Sequence, residues 1–202
     1  MVELIVELHK EKEFTNPETL HQAVFIADRY LILAIEDESS APCLIKLVAT
    51  SLLIAGKMHE VEIPSFEAMS HVLERDFSLT LTKQTLVRFE LELLRKLKFN
   101  LQTVSSFQFL ERYLRLLDID EKSMGKHAQE FESMAREYCI HMLKDAAFLN
   151  FKPSKCASAA LMAATNITTS PLVISLGVSN ITDSKVRKHF QRDIKTQIER
   201  SK

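Results

Sequence analysis

The stretch LIKLVATSLLIAGKMHE, residues Leu44–Glu60, determines how the rest of the chain must fold. Apolar residues recur at helical spacing along one side of it: Leu44, Leu47, Val48, Leu52 and Ala55. A second apolar set occupies the opposite side: Ile45, Ala49, Leu53 and Ile54. Because a helix that is apolar on both sides must be covered by other elements, we predict a central core helix over Leu44–Gly56. The polar residues that follow, Lys57–Glu60, are predicted to be where a partner could bind.

A second helical pattern runs from Thr82, which has the side chain of a helix N-cap, to Lys98. Its apolar stripe consists of Leu86, Phe89, Leu93, Leu94 and Leu97. Glu90 falls within this stripe, where a carboxylate is costly unless it is paired or hydrogen-bonded. Glu90 therefore needs a specific partner, and an intramolecular ion pair or a position at the rim of the core remain alternatives to a contact with another protein.

The composition favours an all-α protein. With 202 residues the chain can form one large or two small cores. Only three glycines and no tryptophan occur, and helix-forming residues dominate. The formal net charge of −1 provides no broad basic field, which argues against nucleic acid as a direct partner.

The cysteines and the apolar runs bear on the compartment. The three cysteines are Cys43, Cys139 and Cys156. Their irregular spacing fits neither a disulfide framework nor a zinc site. No apolar run is long enough to span a bilayer, and the glutamate-containing N-terminus does not have the form of a signal peptide. We therefore expect a soluble protein of the nucleus or cytoplasm that has no membrane contact.

Motifs for catalysis are not found. Isolated glycines cannot build a phosphate-binding loop, and the pair His141 and Asp145 is not accompanied by a nucleophile at useful spacing. No histidine or cysteine spacing suits a metal ion. We therefore predict no catalytic residue, no metal and no cofactor. The short basic cluster Lys185–His189 is predicted to be a solvated helix face, with a contact to nucleic acid or an acidic partner as the alternative.

The order of the predicted helices divides the chain into two similar halves. Helices of the first half are predicted over residues 2–12, 17–35, 44–56, 64–75 and 82–98. The second of them is predicted to begin with Asn16 as its N-cap and Pro17 at its first position. Asn100–Thr103 has the composition of a linker. After it, helices are predicted from Ser105 or Ser106 onward, over 124–143, over 153–164 and from 182 to the end. The small-residue helix 153–164 parallels 44–56, so the chain reads as a tandem repeat.

Three segments of the first half resemble the cyclin family. ETLHQAVFIADRYL (Glu18–Leu31) resembles the family's ETL..AV..IDRFL, and LVATSLLIAGKMHE (Leu47–Glu60) resembles LV...LLIASKYEE. LVRFELELLRKLKFNL (Leu86–Leu101) resembles ILRME..ILK.L.F.L. In the second half, DAAFLNFKPSKCASAALMAATN (Asp145–Asn166) is similar to D..FL.Y.PS.IA.AA...A. The resemblance implies a cyclin-like fold of two tandem bundles with about five helices each.

The resemblance also implies domain bounds. Residues 1–101 would form a first cyclin box whose first helix is truncated, because the family's MR..L-type segment is missing and Leu4 stands where the family has tryptophan. Residues 104–202 would form a second cyclin-like box. We expect either that the chain does not recruit substrates through that segment or that its natural start is longer.

By the same resemblance, Lys57 and Glu90 align with the lysine and glutamate that grip the kinase's regulatory helix. Aligned partner-binding positions around them are Met58, Glu60, Val87, Leu91, Phe99 and Leu101. Asp28 and Arg29 are expected to form an internal structural network. His59 departs from the family pattern, which has an acid there, and this departure bears on the identity of the partner.

The resemblance predicts a non-catalytic regulatory subunit that binds and activates a cyclin-dependent protein kinase by holding its regulatory helix. The alternative is a cyclin-fold scaffold in a larger protein assembly that activates no kinase, because a fold does not fix a function. A general transcription factor of the same fold would need a basic nucleic-acid face, and the balanced charge argues against it.

Overall fold

The computed structural model describes residues 1–12, 14–37, 43–117 and 126–165, and in these residues all regular structure is helical. The predicted all-α class is confirmed. The predicted helix from residue 182 and the basic cluster Lys185–His189 lie outside the described residues.

The chain divides into two compact units, the first being Met1–Thr103 and the second beginning at Val104. The helices of the first unit are α1 (Val2–Glu11), α2 (Pro17–Glu36), α3 (Leu44–His59), α4 (Phe66–Phe77) and α5 (Lys83–Lys96). Those described in the second unit are α6 (Ser106–Leu117), α7 (Lys126–Lys144), a 3-10 helix (Ala146–Asn150) and α8 (Pro153–Thr165).

Short polar side chains fix where these helices begin. Asn16 accepts a hydrogen bond from the Glu18 amide, 2.9 Å away, and Thr82 accepts one of 3.2 Å from the Thr85 amide. Both caps are as predicted. Each one supplies an acceptor to an amide group of the first turn that has no partner within the helix. Ser65 caps α4, which therefore begins at Phe66, two residues after the predicted start.

The core of the first unit is built around α3. Every residue from Leu47 to Gly56 is buried, and the helix packs mainly against α2, with further contacts to α1, α4 and α5. The predicted central helix is confirmed for this range. Leu44 differs from the prediction, because its first-turn position leaves it 42% exposed.

The second unit is organised in the same way around α8. Residues 156–161 of α8 are buried and the helix packs against α6 and α7. Alanine and serine dominate the buried positions of this helix, which lets its neighbours approach closely. Side chains from the other two helices complete the core: Leu110, Leu114, Ala135, Cys139 and Met142. The prediction of a small-residue central helix is confirmed for residues 156–161, whereas Pro153 and Lys155 in its first turn are exposed.

Candidate functional site

Lys57, in the last turn of α3, forms a salt bridge with Glu90 in the middle of α5. The Lys57 Nζ and Glu90 Oε1 atoms are 2.5 Å apart, and the two side chains are 51% and 19% exposed. An exposed ion pair of this kind contributes about 0.2–1 kcal/mol to folding. The intramolecular pairing that the sequence left open is thus present, and both groups still face solvent.

Large apolar side chains are exposed on the two helices that carry this pair and on the turn after α5. Val87 lies one turn before both Glu90 and Leu91 on α5, since residues three and four apart are neighbours on a helix, and Met58 follows Lys57. The exposed fractions are 53% for Val87, 40% for Leu91, 44% for Met58 and 62% for Phe99. Leu101 is half-buried. Exposed apolar side chains that accompany a charged pair are typical of a surface that another protein covers.

The turn after α5 projects Phe99 into solvent through an uncommon backbone conformation. Lys98 and Phe99 have φ values of 53° and 55°, in the left-handed region that side chains disfavour. Two hydrogen bonds close the turn, from the Phe99 amide to the Leu94 carbonyl (2.8 Å) and from the Asn100 amide to the Leu97 carbonyl (3.0 Å). Non-glycine residues in sparsely populated backbone regions cost about 1–3 kcal/mol each and cluster at functional sites.

Two side chains of α2 hold the segment that follows this turn. Gln22 Nε2 donates to the Leu101 carbonyl oxygen at 2.6 Å, and Arg29 Nη1 donates to the Asn100 carbonyl oxygen at 3.0 Å. Arg29 also lies over the Phe25 ring, 5.8 Å from its centroid. These contacts fix the chain directly after the exposed Phe99.

Asp28 and Arg29, the predicted internal network, are half-buried. Burial raises the pKa of the Asp28 carboxyl, and the N-terminal amino group lowers it by a smaller amount. The hydrogen bond of Arg29 within the chain agrees with a structural role, which stays a prediction for the pair. Gln22 was not predicted, although a polar residue between apolar neighbours on a helix is a signal that it needs a partner.

Glu60 was predicted to bind a partner, and the structure places its carboxylate in hydrogen bonds within the chain. Oε1 accepts from the Thr19 hydroxyl at 2.6 Å and the Asn16 amide at 3.0 Å. Oε2 accepts from the Thr15 hydroxyl at 2.7 Å and the Thr15 amide at 3.2 Å. Burial raises the pKa of Glu60, but these hydrogen bonds outweigh it, so the pKa lies below its usual range. A contact between Glu60 and a partner stays a prediction.

Burial lowers the pKa of three histidines in the first unit, two of which, His9 and His59, interact with Glu60. His21 is 4% exposed, and burial, with a smaller effect of the nearby His9, lowers its pKa to about 3. Burial also lowers the pKa of His9 and of His59. His9 Nε2 lies 3.2 Å from the Asn16 carbonyl oxygen. We therefore expect the first unit to lose stability in acid.

The described residues contain no group of three or more His, Cys, Asp or Glu side chains that could hold a metal ion. Within the same residues, no helix is both long and apolar enough to cross a membrane. Cys139 and Cys156 are buried and Cys43 is exposed. Burial raises the pKa of the Cys156 thiol to about 11, which makes it a poor nucleophile.

Comparison with known families identifies both halves of the chain. The family model described as the cyclin N-terminal domain matches residues 1–102, and the one described as the cyclin C-terminal domain matches residues 104–192. The chain belongs to the cyclin family. The resemblance of the three first-half segments is therefore confirmed, and Lys57 and Glu90 lie in the part that the N-terminal model matches.

Individual cyclins show similarity over most of this chain. S-phase entry cyclin-5 of Saccharomyces cerevisiae is 28% identical over 170 residues, which cover 83% of this chain and 35% of that protein. Cyclin-B1-1 of Oryza sativa subsp. japonica is 30% identical over 165 residues, which cover 81% of this chain and 34% of that protein. The chain thus spans about a third of the length of these cyclins.

A solved structure shows the same fold. It is described as the CAK complex from Chaetomium thermophilum bound to ATP-gamma-S, and one of its chains superposes with a TM-score of 0.62 at 20% identity. The match covers 96% of this chain and 58% of that one. At this identity the likeness concerns the fold alone, and the predicted all-α, cyclin-like fold is confirmed.

Proposed function

We propose that this cyclin binds a cyclin-dependent protein kinase and activates it by holding the kinase's regulatory helix. The observation that carries the proposal is the Lys57–Glu90 pair, flanked by exposed Met58, Val87 and Leu91 on a chain of the cyclin family. The charged groups can hydrogen-bond the backbone and polar side chains of a helix. The apolar side chains can cover its hydrophobic face.

The activation follows from the requirements of phosphoryl transfer. A protein kinase is competent only when the glutamate of its regulatory helix pairs with its catalytic lysine. A partner that binds only the inward arrangement of that helix shifts the equilibrium toward the active kinase. The site suits this role because Lys57 lies in the last turn of a buried core helix and Glu90 lies on a helix packed against it. Both groups therefore start from fixed backbone positions.

The exposed Phe99 extends the proposed surface. Its position depends on a left-handed turn that α2 holds through hydrogen bonds to Asn100 and Leu101. A strained turn that displays an aromatic side chain is well suited to anchor a partner, because aromatic residues contribute strongly to protein interfaces.

The test is to add the purified chain to purified cyclin-dependent kinases and to measure both the dissociation constant and the rate of phosphate transfer. We expect binding and a higher rate with at least one kinase, and Phe99→Ser is expected to weaken both. Ile35→Ser is the matched control, since Ile35 is also an exposed apolar residue, 76% exposed near the end of α2. Binding without a change in rate would favour the scaffold alternative, and a native complex without any kinase would contradict the proposal.

A further inference from the structure

We infer that Glu60 is a positioning residue for Lys57: with Thr15, Asn16 and Thr19 it ties the last turn of α3 to the start of α2. The inference rests on the proposed function, because it concerns how Lys57 is presented to the kinase. It also assigns to Glu60 a role other than direct contact with a partner.

The donors to Glu60 all belong to the start of α2. Thr15 and Asn16 directly precede this helix and Thr19 lies in its first turn. Between them they supply two amides and two hydroxyls, at 2.6–3.2 Å from the carboxylate oxygens. A negative charge is favoured here, since the amino end of a helix carries a partial positive charge. The lowered pKa of Glu60 agrees with a carboxylate that stays ionised.

Further contacts join the same two parts of the chain. Asn16 Nδ2 donates to the His59 carbonyl oxygen at 3.1 Å. The Phe14 ring lies so close to Gly56 that a Cβ atom at Gly56 would be 2.9 Å from Phe14 Cε1. The segment before α2 therefore contacts Gly56 and His59 in the final turn of α3 and Glu60 directly after it, and Lys57 lies between these positions.

This attachment matters because the end of a helix frays. The last carbonyl groups of a helix have no intrahelical donors, and terminal turns open more readily than the rest of a structure. In α3 the Glu60 amide still donates to the Gly56 carbonyl at 2.9 Å, which keeps the turn around Lys57 closed. When the Glu60 anchor is lost, this turn is expected to open and Lys57 to sample positions away from the kinase helix.

Variants of Thr19 distinguish a positioning role of Glu60 from a direct contact between Glu60 and the kinase. Its side chain is completely buried, so it cannot touch a partner in the folded chain, yet it donates the shortest of the four hydrogen bonds. Thr19→Val removes the hydroxyl at nearly constant size, and Thr19→Ser retains it. Glu60→Gln removes the charge and leaves a single acceptor oxygen for four donors. Glu62→Gln removes a charge from an exposed neighbour and serves as the control.

The experiment uses the full chain and the kinase that it binds. Calorimetry measures the dissociation constant, and amide hydrogen exchange of the free chain measures the opening of the last turn of α3. We expect Thr19→Val and Glu60→Gln to raise the dissociation constant by about tenfold, as follows when opening of the turn leaves about a tenth of the molecules competent to bind. Both should speed exchange at residues 57–60. Thr19→Ser and Glu62→Gln should behave like the unmodified chain.

A cycle with Lys57→Ala provides a readout that a purely structural role would not move. If Glu60 acts through Lys57, Glu60→Gln should have little further effect on binding once Lys57 is alanine. Weaker binding of Glu60→Gln with unaffected Thr19→Val would show a direct contact and overturn the inference. Faster exchange with unchanged binding would also overturn it. If no kinase binds the unmodified chain, the proposed function fails, while the exchange data still decide whether Glu60 holds the turn.

Discussion

Gln22 Nε2 donates a hydrogen bond of 2.6 Å to the Leu101 carbonyl oxygen, across 79 residues of sequence. Gln22 is only 2% exposed, so its amide lies inside the bundle and depends on this acceptor. The bond attaches the segment after α5 to the middle of α2. It therefore stabilises both the core and the turn that displays Phe99.

Replacement of Gln22 by leucine should destabilise the first unit. The change leaves the Leu101 carbonyl without its donor, and the loss of one partner of a buried hydrogen bond costs about 1–3 kcal/mol. Urea unfolding measures this as a lower midpoint at an unchanged slope. Gln102→Leu is the matched control, because Gln102 directly follows Leu101 and its side chain is exposed. An equal midpoint for both variants would show that the bond contributes nothing.

Leu53→Asp should unfold the first unit. Leu53 is 7% exposed on the central helix, and an unpaired charge there costs several kcal/mol, against a total stability of about 5–15 kcal/mol. Circular dichroism during heating should show loss of the cooperative transition. Val61→Asp is the control, because Val61 is fully exposed (101%). This variant should melt like the unmodified protein. A cooperative transition at an unchanged midpoint for Leu53→Asp would contradict the burial.

The central helices and the helix caps could be predicted because they depend on residues close together in sequence. Apolar spacing predicted α3, and Asn16 and Thr82 marked two helix starts. The role of Glu60 could not be predicted in this way, since its donors lie 41–45 residues earlier. The left-handed turn at Lys98 could not be predicted either, because the sequence has no glycine at this position. Tertiary contacts decide both features.

Lys98→Gly should stabilise the chain relative to Lys98→Ala. The positive φ of Lys98 costs a residue with a Cβ atom about 1–2 kcal/mol, and glycine is free of this cost. The greater flexibility of unfolded glycine offsets about 0.5–1 kcal/mol of the gain, so a net difference of up to about 1 kcal/mol is expected. Alanine is the proper control because both variants lack the lysine side chain. A less stable glycine variant would show that the turn is not strained at this residue.

Acid should destabilise the first unit through His21. Burial lowers the pKa of His21 to about 3 in the folded chain, from 6.5 for an unperturbed histidine. Between these values the unfolded chain binds more protons, so stability falls as the pH decreases below about 6.5, by up to about 1.4 kcal/mol per pH unit. Melting temperatures from pH 7 to pH 5 measure the slope.

His21→Leu should reduce that slope, and the burial of His9 and His59 should preserve part of it. Leu20→Ala is the control for general destabilisation, because Leu20 is 2% exposed on the same helix and the variant retains His21. It should lower all melting temperatures and keep the slope. An unchanged slope in His21→Leu would place the acid sensitivity elsewhere.

Lys57 and Glu90 give the prediction that most directly separates kinase binding from a role within the chain. Their exposure limits their contribution to folding to about 1 kcal/mol. Within a kinase interface, however, loss of one buried charged partner costs about 2–5 kcal/mol of affinity. Lys57→Ala and Glu90→Ala should therefore melt almost like the unmodified chain and bind the kinase far more weakly.

A double variant, Lys57→Met with Glu90→Leu, replaces the pair with apolar residues of similar size. If the two groups serve only each other, it should be neutral for binding and stability. If they grip one kinase helix, binding is lost, and the single variants should couple in a double-mutant cycle by about 0.5–3 kcal/mol.

Arg75→Ala is the control, since Arg75 forms a comparably exposed pair with Glu11 and should leave binding unchanged. Calorimetry with the kinase and a melting curve for each variant make the measurement. Full kinase binding by folded Lys57 and Glu90 variants would favour the scaffold alternative, because the cyclin fold would then be present without use of its charged pair.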